Sequence, residues 1–510
     1  NPPAIGSRVS LLFLALLVSV LLLSGCSRPD ADQLFSDYQQ RLNRVLTLST
    51  IAVELSPLPA VPAIRDLQHH IAPSQLNLLD LVALRHCNLQ QLVAEGYIEG
   101  LPGRGYRVAV LPEHYFHSEA ASISAQPELA TQQYALPDKT GAVTGLLQPG
   151  VSALQQFPYA IWQRMLQRHC QRTALSGFAD PLGYLPLRQA LVQYLRQARQ
   201  VSCDEQSILI TAGAQQALFI AAKLVARAGQ QVLMETPGYP RLKQALQLCE
   251  LQVQHLDASS ANGLDINALP DNTQAKALFL TPGHQYPLGG IMPLPQRLAV
   301  LDWARQHSVW LVEDDYDSEY QYRHRPIASL QGLAGGEGVL FVGSFSKTLF
   351  PGLRLGYLVA PKQVIRQAAA IVQAVHGDVP LLTQAALADF ISEGHFGRHL
   401  RKMRRHYQQN KQFAIQLLQE ELPQCRLHAL DAGLHLVLEF PLAVDETALQ
   451  RQLIQQQFKA QPLSRYLFAN EKRYGLVLGI ANSSQPELAA ALQQLAVLCR
   501  HALTQAALPA

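Results

Sequence analysis

Lys347 stands in the stretch SFSKTLFPGLRLGY (Ser344 to Tyr357), between the apolar runs Val339 to Val342 and Gly356 to Ala360. This spacing predicts a lysine on a tight turn between two buried strands. An ammonium held there loses hydration, its pKa falls, and the neutral amine becomes a nucleophile toward an aldehyde. A solvated loop lysine is the alternative reading of the same residues. Asp314 ends another apolar run, Val309 to Val312, inside Glu313-Asp314-Asp315-Tyr316-Asp317. A carboxylate at the end of a buried strand needs a cationic partner, and a protonated pyridine nitrogen would be one. A solvated acidic loop accounts for Asp317 and Glu319, but not for acids directly after an apolar run.

Seven strand-like runs carry these groups: Ser207 to Thr211, Gln231 to Glu235, Leu251 to Leu256, Ala277 to Thr281, Val309 to Asp314, Val339 to Ser344 and Gly356 to Ala360. Most are apolar throughout and are separated by helical patterns, which predicts a largely parallel sheet covered on both faces. Such sheets bind ligands at the carboxyl ends of their strands. The first run ends in a glycine turn that opens a helix, offering backbone N–H groups at Gly213, Ala214 and Gln215 to a phosphate. The second leads to Tyr239 and Arg241 on a proline-stiffened loop. The fourth enters TPGHQYPLGG, where His284 and Gln285 could reach a polar ring substituent. No second ligand stands at metal spacing from His284, so no metal is expected.

Together these residues meet the needs of pyridoxal phosphate. The coenzyme requires a lysine for its aldehyde, an acid for its ring nitrogen, a phenol or amide for its ring oxygen, donors for its phosphate and an aromatic ring over its face. From about residue 136 onward the chain resembles a fold-type I aminotransferase, specifically the coenzyme domain of the MocR subgroup of GntR-type regulators. The motifs TAGAQQAL, ETPGYP, TPGHQYP, EDDYDSEYQY and SFSKTLFPGLRLGY occur in that family's order. The resemblance implies an α/β fold: a seven-stranded, mostly parallel sheet in a large domain over about 180–380, and a smaller C-terminal α+β domain.

The same resemblance implies Lys347 as the coenzyme lysine, Asp314 on the pyridine nitrogen and Tyr316 toward the ring oxygen, these three being catalytic. It implies Tyr239 as the stacking ring and Ala214, Gln215, Ser344 and Arg354 around the phosphate. Gln285 or Tyr286 falls where aminotransferases commonly place an asparagine beside the ring oxygen. An amino acid or amine is the implied substrate or effector, and the implied assembly is a homodimer with sites near the subunit interface. Two departures stand out. Where many aminotransferases carry an arginine for the substrate α-carboxylate, in the final small-domain strand, the alignment places Leu476, leaving Arg473 and Arg241 as substitutes. Phe178 stands where relatives often have a tyrosine reaching the neighbouring subunit's phosphate.

The remaining sequence is of another kind. Arg8 precedes an apolar run from Val9 to Leu23 that ends in Leu-Ser-Gly-Cys, resembling a bacterial lipoprotein box with Cys26 as the lipidated residue. Residues 27–95 resemble uncharacterised bacterial lipoproteins. Residues 96–110, GYIEGLPGRGYRVAV, resemble the wing of a GntR-type winged helix, with lipoprotein-like sequence where the DNA-reading helices belong. A wing alone gives phosphate contacts without base reading, so specific DNA binding is not expected. Residues 111–135 read as a polar linker.

A fusion of unrelated genes near QLVAE accounts for residues 1–95; membrane anchoring follows only if residues 1–26 are a genuine signal, and the coenzyme body is otherwise expected in the cytoplasm. The chain begins with Asn1 and no Met, so the start is expected upstream. A net charge of +3 over 510 residues is too small to argue for a nucleic-acid partner. Seven scattered cysteines, never in a Cys-x-x-Cys pair, point to buried thiols rather than a disulfide frame or zinc site. The readings that follow are an aminotransferase, a MocR-type sensor whose coenzyme domain binds an amine or amino acid, or a lipoprotein acting through residues before 96.

Overall fold

The computed structural model describes residues 98–101, 105–108 and 145–507, apart from residues 260, 323–326, 376, 429–431 and 470. The readings for the signal segment with Cys26, the lipoprotein-like segment and the linker lie outside these residues. The chain divides into two units, Asn1–Tyr134 and Ala135–Ala510. In the first, β1 (Ile98–Leu101) and β2 (Gly105–Val108) pair antiparallel, Ile98 opposite Val108 and Leu101 opposite Gly105, which is the backbone of a hairpin at the expected wing.

The second unit begins with α1 (Tyr159–His169) and α2 (Leu185–Arg199). Strands and helices then alternate: β3 (Ile208–Thr211), α3 (Ala214–Val225), β4 (Gln231–Thr236), α4 (Pro240–Leu248), β5 (Gln252–Asp257), β6 (Ala277–Leu280), α5 (Leu294–His307) and β7 (Trp310–Asp315). A single helical turn, α6 (Leu330–Leu333), precedes β8 (Val339–Ser344), β9 (Gly356–Val359) and α7 (Lys362–Val375). Each of the seven runs read from the sequence forms a strand of one sheet, in the order β3-β9-β8-β7-β6-β4-β5. All are parallel except β9, which runs antiparallel to both its neighbours β3 and β8.

Strand alternation divides the sheet's side chains between two cores. Ile208, Ile210, Phe341, Tyr357 and Val359 pack with residues of α1 and α2 on one face. Leu209, Leu340, Val342 and Leu358 pack with α3, α4 and α7 on the other. Burial on both faces explains why these strands read as unbroken apolar runs.

The chain continues through α8 (Leu381–Ser392) and the long α9 (His395–Glu421) into a smaller α+β domain. There β10 (Arg426–His428), β11 (His435–Glu439), α10 (Glu446–Gln455), β12 (Gln461–Pro462), β13 (Gly475–Gly479) and α11 (Gln485–Ala506) form an antiparallel sheet, ordered β10-β11-β13-β12, under helices. Ser484 and Glu487 cap α11 reciprocally, which fixes its start. The small domain is not built from C-terminal sequence alone. Leu147 lies in its core, and the Leu146 and Leu147 carbonyls accept from the Lys459 and Gly479 N–H groups. The segment that follows, through Gly150, is thereby pinned across the carboxyl ends of the large sheet.

Candidate active site

Three consecutive acids end β7, and alternation gives them different fates. Glu313 and Asp315 share one face, where cations meet them: Arg199 Nε donates to Asp315 at 2.7 Å, and Arg297 Nη1 lies 3.8 Å from Glu313. Asp314 points to the opposite face with Val312. It lines a small cavity with Tyr239, Tyr286, Thr281 and Glu235 at the carboxyl ends of β4, β6 and β7. Its Oδ1 is buried without a hydrogen-bond partner among the described residues. Burial, reinforced by the neighbouring Asp315, raises the Asp314 pKa to about 7.

Lys347 follows β8, the strand beside β7. Burial lowers its pKa to about 8, against the opposing pull of Asp317 and Asp314. Its Nζ donates to the Gly150 carbonyl at 2.6 Å. Gly150 has a φ of +78°, and a Cβ there would collide with Lys347 Nζ, so this position requires glycine. The sequence reading passed over Gly150, although the Pro-Gly pair marked a turn.

The turn expected to receive the phosphate lies at the start of α3. Gly213, at a φ of +92°, precedes α3 with no side chain capping the helix, so the N–H groups of Ala214 and Gln215 open on the site. Arg354 donates from Nη2 to the Ala212 carbonyl at 3.0 Å, and its guanidinium lies 3.6 Å from where a Cβ on Gly213 would stand. Gln215 donates its side-chain amide to the Arg241 carbonyl, so it offers the site its backbone rather than its side chain. The Ser344 hydroxyl accepts from the Ser346 N–H at 3.1 Å.

Tyr316 is held by a buried network that the sequence did not disclose. Its hydroxyl lies 3.0 Å from His284 Nδ1, and the same nitrogen is 2.9 Å from Asp317 Oδ1. Asp317 is only 1% exposed, so it is no solvated loop acid. Burial works to raise its pKa, but His284, with the Lys411 ammonium nearby, outweighs that and holds it low. Glu319 also departs from that reading: it accepts from the Tyr194 hydroxyl at 2.7 Å, and burial raises it to about 7.

His284, Asp317 and His435 converge as a group with metal-ligand chemistry, which sequence spacing could not reveal. They already satisfy one another and the backbone: His435 Nε2 bonds the Pro287 carbonyl, and the buried Lys411 ammonium donates to the His435 carbonyl. A cation already occupies that neighbourhood, which favours a hydrogen-bonded network over a metal centre.

Two expectations are corrected. Gln285 does not reach toward a ring oxygen, because its amide donates to the Pro237 and Tyr286 carbonyls and accepts from the Leu288 N–H. Tyr286 lines the cavity instead. Arg473 is no substrate clamp: it grips Glu439 through Nε and Nη2 at 2.7 and 2.8 Å, with His428 alongside, inside the small domain. Arg241 is exposed and forms no side-chain hydrogen bond or ion pair among the described residues, but its charge reaches Lys347.

These residues fit pyridoxal phosphate. A buried carboxylate oxygen lacks a hydrogen-bond partner among the described residues, an amine of lowered pKa stands in the turn after the next strand, and a helix start without a side-chain cap lies beside Arg354. The profile of aminotransferase classes I and II matches residues 151–495, and that of a protein family of unknown function (DUF3080) matches residues 35–96.

The probable rhizopine catabolism regulatory protein MocR of Rhizobium meliloti is 35% identical over 76% of this chain and 80% of its own length. The 2-aminoadipate transaminase of Thermus thermophilus is 30% identical over 56% of this chain and 72% of its own. The α-aminoadipate aminotransferase LysN of Thermus thermophilus, solved with N-(5′-phosphopyridoxyl)-L-leucine, superimposes with a TM-score of 0.66 at 26% identity, over 70% of this chain and 92% of that one. The chain belongs to the class I and II aminotransferase family, in its group of MocR-type regulators, and its body is a pyridoxal-phosphate domain of the fold-type I class.

Proposed function

We propose that this protein holds pyridoxal phosphate on Lys347 and acts on the amino group of an amino acid or amine. The observation that carries this is the convergence of Lys347, in the turn after β8, and Asp314, at the end of the neighbouring β7, where the Asp314 Oδ1 is bonded to nothing among the described residues. Asp314 would hold the pyridine N–H, Tyr316 would donate to the ring oxygen, and Tyr239 would cover the ring. Arg354, Ser344 and the N–H groups of Ala214 and Gln215 would take the phosphate.

The coenzyme supplies an electron sink for the carbon bearing the amino group. Asp314 would keep that sink protonated at its ring nitrogen. Lys347 Nζ, its pKa lowered by burial, would hold or move the proton at the substrate carbon as a general base. The His284–Asp317 pair fixes the Tyr316 hydroxyl.

The test is optical. The purified chain is expected to show a visible coenzyme absorption band that Lys347→Ala abolishes; a band unaffected by this substitution sinks the reading. Conversion of the bound coenzyme to pyridoxamine phosphate by an amino-group donor identifies transamination.

A second reading is a sensor in which the same site binds an amine and shifts a dimer without turnover. The regulator relatives and the β1–β2 hairpin support it, and they also support a cytoplasmic body.

A further inference from the structure

Asp314 shares its cavity with a second buried acid. Glu235, near the end of β4, is 4% exposed and lines the same space. Its Oε2 accepts twice from Thr281, from the N–H at 2.9 Å and from the hydroxyl at 2.7 Å. The Thr281 hydroxyl also accepts from the Tyr286 N–H at 3.1 Å, which ties this acid to the loop after β6. Glu235 Oε1 has no hydrogen-bond partner among the described residues, and neither has Asp314 Oδ1. The cavity that the two residues line measures about 10 Å³, the room of one water.

Two carboxylates in one dry cavity repel, so such a pair keeps one proton between them. The surroundings decide which acid holds it. Asp314 is raised by burial and then by Asp315, with smaller pushes from Asp317 and Glu235, but Lys347 pulls it toward the charged form. A pyridine N–H at Asp314 would add to that pull. Glu235 has no such cation: burial raises it to about 7, and only the two Thr281 donors oppose this. The ionisable groups beside it, Tyr239 and Tyr286, are phenols that burial raises, so they carry no charge. Because Oε2 already accepts two hydrogens, the proton belongs on Oε1, which thereby becomes a donor.

We infer that Glu235 is a positioning residue of the coenzyme site: it keeps its proton on Oε1 and serves Asp314 as a neutral donor across the cavity. The one negative charge of the pair is thereby left on Asp314 for the pyridine nitrogen. This role rests on the reading that Lys347 and Asp314 hold pyridoxal phosphate, and deepens it by giving the coenzyme's acid a second carboxyl that acts through it. A Glu235 kept only as an acceptor for Thr281 would act independently of Asp314.

Two substitutions in the full chain test it. Glu235→Gln keeps an acceptor for Thr281 and an uncharged N–H donor, whereas Glu235→Met keeps the bulk and removes both. Pyridoxal phosphate affinity is read from the Lys347-dependent visible band, and Glu235 protonation from the carboxylic-acid C=O stretch in the infrared; neither needs turnover. Near neutral pH the loaded protein is expected to show a protonated-carboxyl stretch that Glu235→Gln removes. Glu235→Gln is expected to hold the coenzyme within ~3-fold of the unmodified protein, and Glu235→Met ~10-fold or more weakly, the range of one hydrogen bond to a charged group. In an Asp314→Asn background the same Glu235→Met change is expected to cost less than ~3-fold, because its effect passes through Asp314. Absence of a Glu235-dependent stretch, a ~10-fold loss in Glu235→Gln, or an equal effect of Glu235→Met in both backgrounds overturns the role. If Glu235→Met does not fold, the stretch and the Glu235→Gln affinity decide. Absence of a Lys347-dependent band in the unmodified protein defeats the coenzyme reading itself.

Discussion

At the scale of single residues, the site depends on two ionisable groups displaced toward neutrality by burial. Lys347 is lowered to about 8, so its nucleophilic form dominates only above that pH. Capture of coenzyme by the coenzyme-free protein should accelerate with pH and level off above about 8. At pH 6 it should be roughly 100-fold slower, since only about one lysine in a hundred is then neutral. Stopped-flow absorbance reads this directly, and a pH-independent rate would mean that Lys347 is not the attacking group.

Asp314 moves the other way, from 3.8 to about 7, because burial, with Asp315 beside it, outweighs the pull of Lys347. A carboxyl whose folded pKa is raised costs stability above that folded value and costs nothing below its unfolded one. Asp314→Asn should therefore stabilise the coenzyme-free protein by ~4 kcal/mol at pH 8, each tenfold change in proton affinity being worth ~1.4 kcal/mol. Most of that gain should be gone near pH 4. The same substitution should weaken coenzyme retention. Denaturant unfolding at the two pH values, with and without coenzyme, separates these effects. A loss of stability at pH 8 would show that the carboxylate already has a partner.

At the scale of elements, two glycine turns set the distances. Gly150 holds the entering segment over Lys347, and Gly213 opens the helix start to Arg354. Gly150→Ala combines a positive φ with a collision at Lys347 Nζ. It should cost ~1–2 kcal/mol of stability from backbone strain alone. It should also diminish the visible band by displacing the lysine. At Gly213 a Cβ meets only the Arg354 guanidinium, at ordinary contact distance, and φ is again positive. Gly213→Ala should therefore weaken phosphate binding more than it disturbs the lysine. Comparing the affinities of the two variants for inorganic phosphate and for pyridoxal phosphate checks this division: only Gly213→Ala should lower both.

At the scale of the whole molecule, the coenzyme body is compact by itself from Ala135 onward. Its small domain is closed by residues from both ends, Leu147 and the strands after β10. A chain cut to residues 135–510 should keep the visible band and the melting temperature of the loaded protein. A cut after residue 150 should lose both, since it removes the Leu147 core contact and the Gly150 carbonyl that accepts from Lys347. No helix among the described residues is long and apolar enough to cross a membrane.

The sequence by itself determined the sheet and the ends of its strands. Parallel strands buried on both faces must be apolar throughout, so each polar residue directly after such a run announces itself, as Asp314, Tyr239 and Lys347 do. Local runs and turns fix those positions within a few residues of chain. Tertiary structure alone decided which acid of the three stays unpaired, because Arg199 and Arg297 arrive from distant helices to take Asp315 and Glu313. It alone made the Tyr316–His284–Asp317 network, which brings His284, after β6, to Tyr316 and Asp317, after β7. It also placed Leu476 in the small-domain core and Val477 on the opposite face of its strand, since successive side chains of a strand point to opposite faces. Motif alignment carries no information on facing, whereas the pairing of β13 with β11 fixes it.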